Sequence, residues 1–217
     1  MIVINSLFTV AGALSGVFVS VYLWQNSDFA TICRFQIACF AVTPLFFILG
    51  GWYAQARDRL HVYRVGLMFN AAFYALLLYL REEAPLWDIY LGVLTGATGG
   101  IFWSAANILS YDMTKEGSRE YYIGLMSTIT GAVGLIAPLL GGMIIELAPE
   151  AFRGYQLLFG GVVALYAICI ILSFWLPKDS VQRPFRLKRA LLPKKEQRDW
   201  RLALWTSLSI AGSFDIL

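Results

Sequence analysis

Six uninterrupted apolar runs, each near the length a helix needs to cross hydrocarbon, constrain this chain more than anything else in it. The crossing takes about 20 mostly apolar residues. The runs cover 2–24, 29–52, 65–80, 89–109, 122–147 and 155–176, the third being short unless it begins near Val62. A seventh begins at Leu202 and reaches Leu217, the last residue. Runs this continuous lack the roughly ten-residue alternation of a membrane β-strand, which leaves helices as the spanning solution. The expected fold is an all-α membrane protein. Residues 1–177 form a six-helix transmembrane bundle, 178–201 a linker, and 202–217 the start of a seventh helix that ends inside the bilayer.

Composition supports this. The chain is 59% hydrophobic and 14% charged, whereas a soluble domain is roughly 25% charged. A soluble fold would lack the polar surface to cover such a core, and lipid needs no such cover. The first run has no basic segment ahead of it and is too long for a cleaved leader, so it is expected to remain as a span. Cys33, Cys39 and Cys169 lie in apolar runs without metal-ligand spacing and are expected to be packing residues. The net charge of +3 does not point to nucleic acid, because nine of the 17 Lys and Arg fall between 178 and 201, beside a membrane segment. His61 has no partners in sequence and no nucleotide-binding glycine loop is present. Neither an enzyme, a metal centre nor a cofactor is expected.

Basic residues also orient the chain. The connections 57–64, 112–120 and 178–201 hold 14 Lys and Arg, and the alternate set holds two, Arg81 and Arg153. Basic loops stay cytoplasmic, so the N-terminus and the 178–201 linker are expected there, in a plasma membrane. An internal echo adds a second expectation. The nine residues from Gly12 to Ser20 match those from Gly96 to Ser104 at five positions, 84 residues apart. A three-helix unit used twice, as in transporters built from inverted repeats, accounts for it.

Three local features give the chain its resemblance to the N-terminal half of the major facilitator superfamily. The segment Gly50-Gly51-Trp52-Tyr53-Ala54-Gln55-Ala56-Arg57-Asp58-Arg59-Leu60-His61 resembles that family's glycine–acid–base signature between helices two and three, with Gln55 where the acid belongs when counted from Gly51. The fifth run, with Gly124 and then Ala137-Pro138-Leu139-Leu140-Gly141-Gly142, is similar to the family's fifth-helix antiporter signature, two of whose glycines are here Val133 and Ala137. The basic 178–201 stretch resembles the connection between the family's two six-helix bundles. Gly92 stands where proton-coupled members often carry arginine. The resemblance implies a secondary transporter that moves a small solute by alternating access, working with a second six-helix bundle. Helices one, two, four and five would border the path, with three and six outside. Two rival expectations are a membrane scaffold or regulatory subunit and a six-helix half-transporter that dimerises.

Small and weakly polar residues repeat at helical spacing. Asn5, Thr9, Gly12, Gly16 and Ser20 share one face of the first run. Gly92, Gly96, Gly99, Trp103 and Asn107 do so in the fourth, and Gly124, Thr128, Gly131, Pro138 and Gly142 in the fifth. Two readings stand: small residues let helices approach closely, or they line a solute path. On the second reading the path residues are Ser15, Gly16, Ser20, Tyr22, Gln36, Trp103, Asn107 and Thr128, with Trp103 and Tyr22 as an aromatic wall. Pro138 lacks an amide hydrogen and is expected to bend the fifth helix.

A charge inside a span is costly unless paired or wet. Arg34 and Asp215 are two such charges, both placed by depth in the outer third of the bilayer. Either they form an ion pair at the outer gate, where the family brings helices two and seven together, or Arg34 snorkels beside Asp28 while Asp215 faces a wet cavity. Asp58, Arg59 and Arg64 are either latches between inner helix ends or charges that only set topology. Asp112, Glu116, Arg119 and Glu120 are expected in a solvated loop.

Overall fold

The computed structural model describes residues 1–176 apart from Asn26, Arg57 and Lys115. The 178–201 linker, the seventh run and Asp215 lie outside the described residues. Those described form six α-helices: α1 (Ile2–Gln25), α2 (Phe29–Ala56), α3 (Arg59–Leu80), α4 (Asp88–Met113), α5 (Glu116–Glu146) and α6 (Ala151–Ser173). A 3₁₀ helix, Arg81–Trp87, joins α3 to α4. Among the described residues, five helical segments are long and apolar enough to cross a membrane, one of them, Arg59–Met113, running through α3, the 3₁₀ helix and α4. Those two helices nevertheless pack side by side, since Gly66 of α3 lies against the backbone of Phe102.

Several boundaries differ from those expected. The third helix starts at Arg59 rather than 65, because the Asp58 carboxylate accepts hydrogen bonds from the backbone amides of Leu60 (2.9 Å) and His61 (3.3 Å). An N-terminal cap of this kind satisfies amides that a new helix leaves open. The stretch 57–64 is therefore mostly helix. So is 112–120, divided between the end of α4 and the start of α5. The turn expected at 81–88 is the 3₁₀ helix, entered through Arg81 at φ 50°. Apolarity marks where a helix lies in hydrocarbon, and helical geometry continues past it into the interface.

The arrangement of the helices follows from glycine placement. α2 lies along α4, where a Cβ on Gly92, Gly96 or Gly100 would strike α2 backbone at Phe35, Cys39 and Thr43. That spacing of four puts a glycine at every turn of the contact, so the backbones meet directly. α5 meets α1 through Gly141, which sits against the Leu14 carbonyl and the Phe18 ring. α3 packs on α4 and α6, and α6 on α1. The centre is aromatic: Phe8 of α1 stacks on Phe102 of α4 at 3.6 Å between centroids, with Tyr63, Tyr74, Phe159 and Tyr166 around them.

Candidate functional site

The expected path residues divide into open and enclosed groups. Gly16, Asn107 and Thr128 are exposed, and Trp103 is half-exposed with its ring edge-on to Phe8 and Phe102. The Thr128 hydroxyl donates to the Gly124 carbonyl at 2.9 Å, which meets its need within α5. Gln36 Nε2 donates to Ser20 Oγ at 3.2 Å and ties α2 to α1. Ser15 and Tyr22 face the other way. Ser15 is fully buried, its hydroxyl donating to Ala11 O (2.7 Å) and hydrogen-bonded to the Tyr74 hydroxyl of α3 (2.6 Å). Tyr22 is buried against Tyr155 and Phe159 of α6. One residue along a helix turns the side chain by about 100°, so Ser15 and Gly16 are adjacent in sequence and point to different surroundings. Pro138 lies within α5, beside buried Ala137, one turn before the Gly141 contact.

Arg34 is paired, and with Asp88. Its Nε lies 2.6 Å from Asp88 Oδ2 at the first residue of α4, and its Nη2 is 3.0 Å from Thr31 Oγ1. Thr31 in turn donates its amide (2.9 Å) and hydroxyl (2.8 Å) to Asp28. These two bonds hold the Asp28 carboxyl below the ordinary carboxylate range. A chain Asp28–Thr31–Arg34–Asp88 thus runs across this end of α2 to α4. The N-terminus of α4 also favours a carboxylate there.

At the opposite end, three cations have three different roles. Asp58 and the first turn of α3 are joined as described. Arg59 is buried and forms an ion pair with Asp112 in the last turn of α4, which is not a solvated loop position. Arg64 Nη2 donates to the Ser173 carbonyl at 2.9 Å, and its guanidinium lies 4.6 Å from the centre of the Phe174 ring. α3 is therefore tied to both α4 and α6. Arg119 sits over the Tyr111 ring at 3.8 Å and donates to the Tyr111 and Thr114 carbonyls. A polar knot missed in the sequence joins the same end. Tyr63 donates to Asn5 Oδ1 (2.8 Å), Asn5 Nδ2 to Tyr122 (2.9 Å), and Tyr122 meets Ser110 (3.1 Å), so α1, α3, α4 and α5 share one network. The stripe that included Asn5 was visible, but Tyr63 in a basic connection and Tyr122 at the edge of an apolar run gave no sign of it. Cys169 is buried with its thiol 3.7 Å from the Ile4 carbonyl.

A chain whose described residues are helical, with several apolar helices long enough to span a bilayer, is a multi-pass membrane protein. It belongs to the major facilitator superfamily, a family of membrane transporters, whose sequence profile matches residues 1–216. The chain is 29% identical over 202 residues to the uncharacterized protein YqgE of Bacillus subtilis (strain 168), covering 93% of this chain and 47% of YqgE. It is 31% identical over 166 residues to an uncharacterized protein in the sodM 3'region of Geobacillus stearothermophilus, covering 76% and 77%. It is 28% identical over 141 residues to the tetracycline resistance protein, class E, of Escherichia coli, covering 62% and 33%. The chain thus spans about half the length of YqgE and about a third of the tetracycline resistance protein.

Proposed function

We propose that this chain forms one six-crossing bundle of a secondary transporter, which moves a small solute across the plasma membrane by rocking against a second six-helix bundle. The N-terminus is cytoplasmic, as the 14 to 2 division of basic residues between alternate connections supports. The observation that carries the reading is the set of uncharged groups left open on different helices: Gly16 of α1, Trp103 and Asn107 of α4, and Thr128 of α5. An uncovered side-chain amide such as that of Asn107 at bilayer depth is expensive in lipid and acceptable beside a wet path. The pairing of helices supports the repeat. Exchanging α1, α2 and α3 for α4, α5 and α6 turns the α2–α4 contact into α5–α1 and the α3–α4 contact into α6–α1. Alternating access follows from two such units around a midplane site.

Open faces of amide, hydroxyl and indole suit a weakly polar or amphipathic solute. The similarity to a tetracycline resistance protein supports the same class. Arg34 and Asp88 form a clamp at the outer end, with Arg59 and Asp112 its inner counterpart. Arg34 is half-exposed in this clamp, while the Asp88 carboxylate is nearly enclosed.

The test is uptake into proteoliposomes of a panel of uncharged, amphipathic aromatic solutes, with Asn107→Ala and Trp103→Ala beside the control Leu157→Ala on α6. Solute-selective loss in the first two, with the control unaffected, is the expected result. Equal transport in all three would remove the proposed path. If the short chain is active only as a dimer, the half-transporter takes the place of the two-bundle reading.

A further inference from the structure

Trp103, Asn107 and Tyr111 of α4 are exposed and spaced by four, and open space lies beside Gly99 one turn earlier. Four residues make one turn plus about 40°, so these positions share a single, slowly winding face. It is the face proposed above for solute, carried one turn further to Tyr111. From Trp103 to Tyr111 the helix rises about 12 Å. Indole, amide and phenol thus follow one another along an uncharged strip. The last ring is 56% exposed although one side of it is already covered.

What covers it is a cation. The Arg119 guanidinium of α5 lies 3.8 Å from the centre of the Tyr111 ring, within reach of cation–π attraction. Two of its nitrogens are tied to the end of α4. Nε donates to Thr114 Oγ1 at 3.4 Å, and Nη2 to the Tyr111 and Thr114 carbonyls at 3.3 Å each. Basic side chains cap helix ends in this way, and the cap accounts for those two nitrogens. It leaves Nη1 without a hydrogen bond among the described residues, and every acceptor in it is neutral. Other described arginines are committed differently. Arg34, Arg59 and Arg153 face carboxylates, and Arg64 is turned to the end of α6. Asp112, the neighbour of Tyr111, is paired with Arg59. Arg119 is therefore a positive charge fixed in direction at the end of the open face, with no ion pair among the described residues.

A guanidinium gives an oxyanion short, charge-assisted hydrogen bonds, and one already held in place has little rotamer freedom left to lose. We propose that the solute of this face is an amphipathic aromatic acid, its rings along Trp103 and Asn107 and its carboxylate on Arg119 Nη1. This rests on the transport reading above and narrows the class of solute. Position favours a solute carboxylate over a lipid phosphate, because the cation continues the indole–amide–phenol strip and does not stand on an apolar face.

The experiment measures saturable binding of biphenyl-4-carboxylate and biphenyl-4-carboxamide to the full chain in phosphatidylcholine nanodiscs, with empty nanodiscs as the blank. The acid should bind about tenfold more tightly, the scale of one hydrogen bond to a charged group. Biphenyl-4-sulfonate, ionised at every pH used, should share that preference. Arg119→Gln should abolish the preference and leave the Kd of the amide unchanged, whereas Trp103→Ala should weaken both compounds alike. Tyr111→Leu removes the ring under the guanidinium and keeps the backbone cap. It should cut the preference several-fold, and it serves as the test if Arg119→Gln does not fold. Equal binding of acid and amide by the parent overturns the proposal, as does a preference that survives these substitutions; the path itself stands as long as Trp103→Ala weakens binding. Native mass spectrometry covers the lipid: loss of bound phosphatidylglycerol in Arg119→Gln with the preference intact would assign the cation to a lipid phosphate and overturn the proposal too. Binding that Trp103→Ala leaves untouched removes the path reading, and this inference with it.

Discussion

Arg34 Nε stands 2.6 Å from Asp88 Oδ2, joining the start of α2 to the first residue of α4 across 54 positions of sequence. The Asp88 carboxylate is nearly enclosed while the Arg34 side chain is half open. Removing the arginine leaves a buried carboxylate that still accepts from the Ile89 amide but has lost its charged partner. Arg34→Gln should therefore destabilise by about 1–3 kcal/mol, and Arg34→Gln with Asp88→Asn by less than the sum of the two. Thermal unfolding of the four proteins in detergent measures the coupling.

The pair at the opposite end of the bundle, Arg59 with Asp112, is more deeply placed. Arg59 is buried and Asp112 nearly so, and an unpaired buried charge costs more than a buried pair gains. Asp112→Asn should cost about 3 kcal/mol, more than Arg34→Gln, with the order of the two melting temperatures as the check. Equal losses would mean that Arg59 is held mainly by its other contacts.

Glycine should give opposite signs on two helices. A methyl group on Gly96 meets the backbone of Cys39, whereas one on Gly16 meets nothing within 4 Å. Gly96→Ala is expected to lose about 1–3 kcal/mol through overpacking. Gly16→Ala is expected to gain up to about 1 kcal/mol from helix propensity, while narrowing the proposed path. Denaturant unfolding separates them.

Asp28 links stability to acid. Its carboxyl is held below the ordinary range by the Thr31 hydroxyl first and the Thr31 amide second. A depressed folded value means that the contribution is present above the unfolded value, near about 4, and is lost as pH falls through the folded one. Asp28→Asn should accordingly flatten the acid side of a plot of melting temperature against pH and leave the neutral region nearly parallel to the parent.

The helical membrane class could be read directly from the chain, because span length and apolarity are properties of consecutive residues. Helix starts were less visible. Asp58 signals a cap only once α3 is known to begin in a basic stretch, and 112–120 read as a loop because charge hides a helix that has left hydrocarbon. Of the stripe on α1, Gly16 proved open, and its neighbour Ser15 enclosed against Tyr74. Spacing defines a face, but it does not say which neighbour the face meets.

By itself the sequence determined a helical membrane protein of the major facilitator superfamily, with alternate connections of unequal charge. Only the tertiary structure decided the partners of the charges: Arg34 with Asp88 and Arg59 with Asp112, 54 and 53 residues apart. The physical reason is that α4 is the helix that α2 and α3 both pack against, through Gly92, Gly96, Gly100 and Gly66. Which helices become neighbours depends on close backbone fit along whole faces, and that fit exists only once the bundle has assembled.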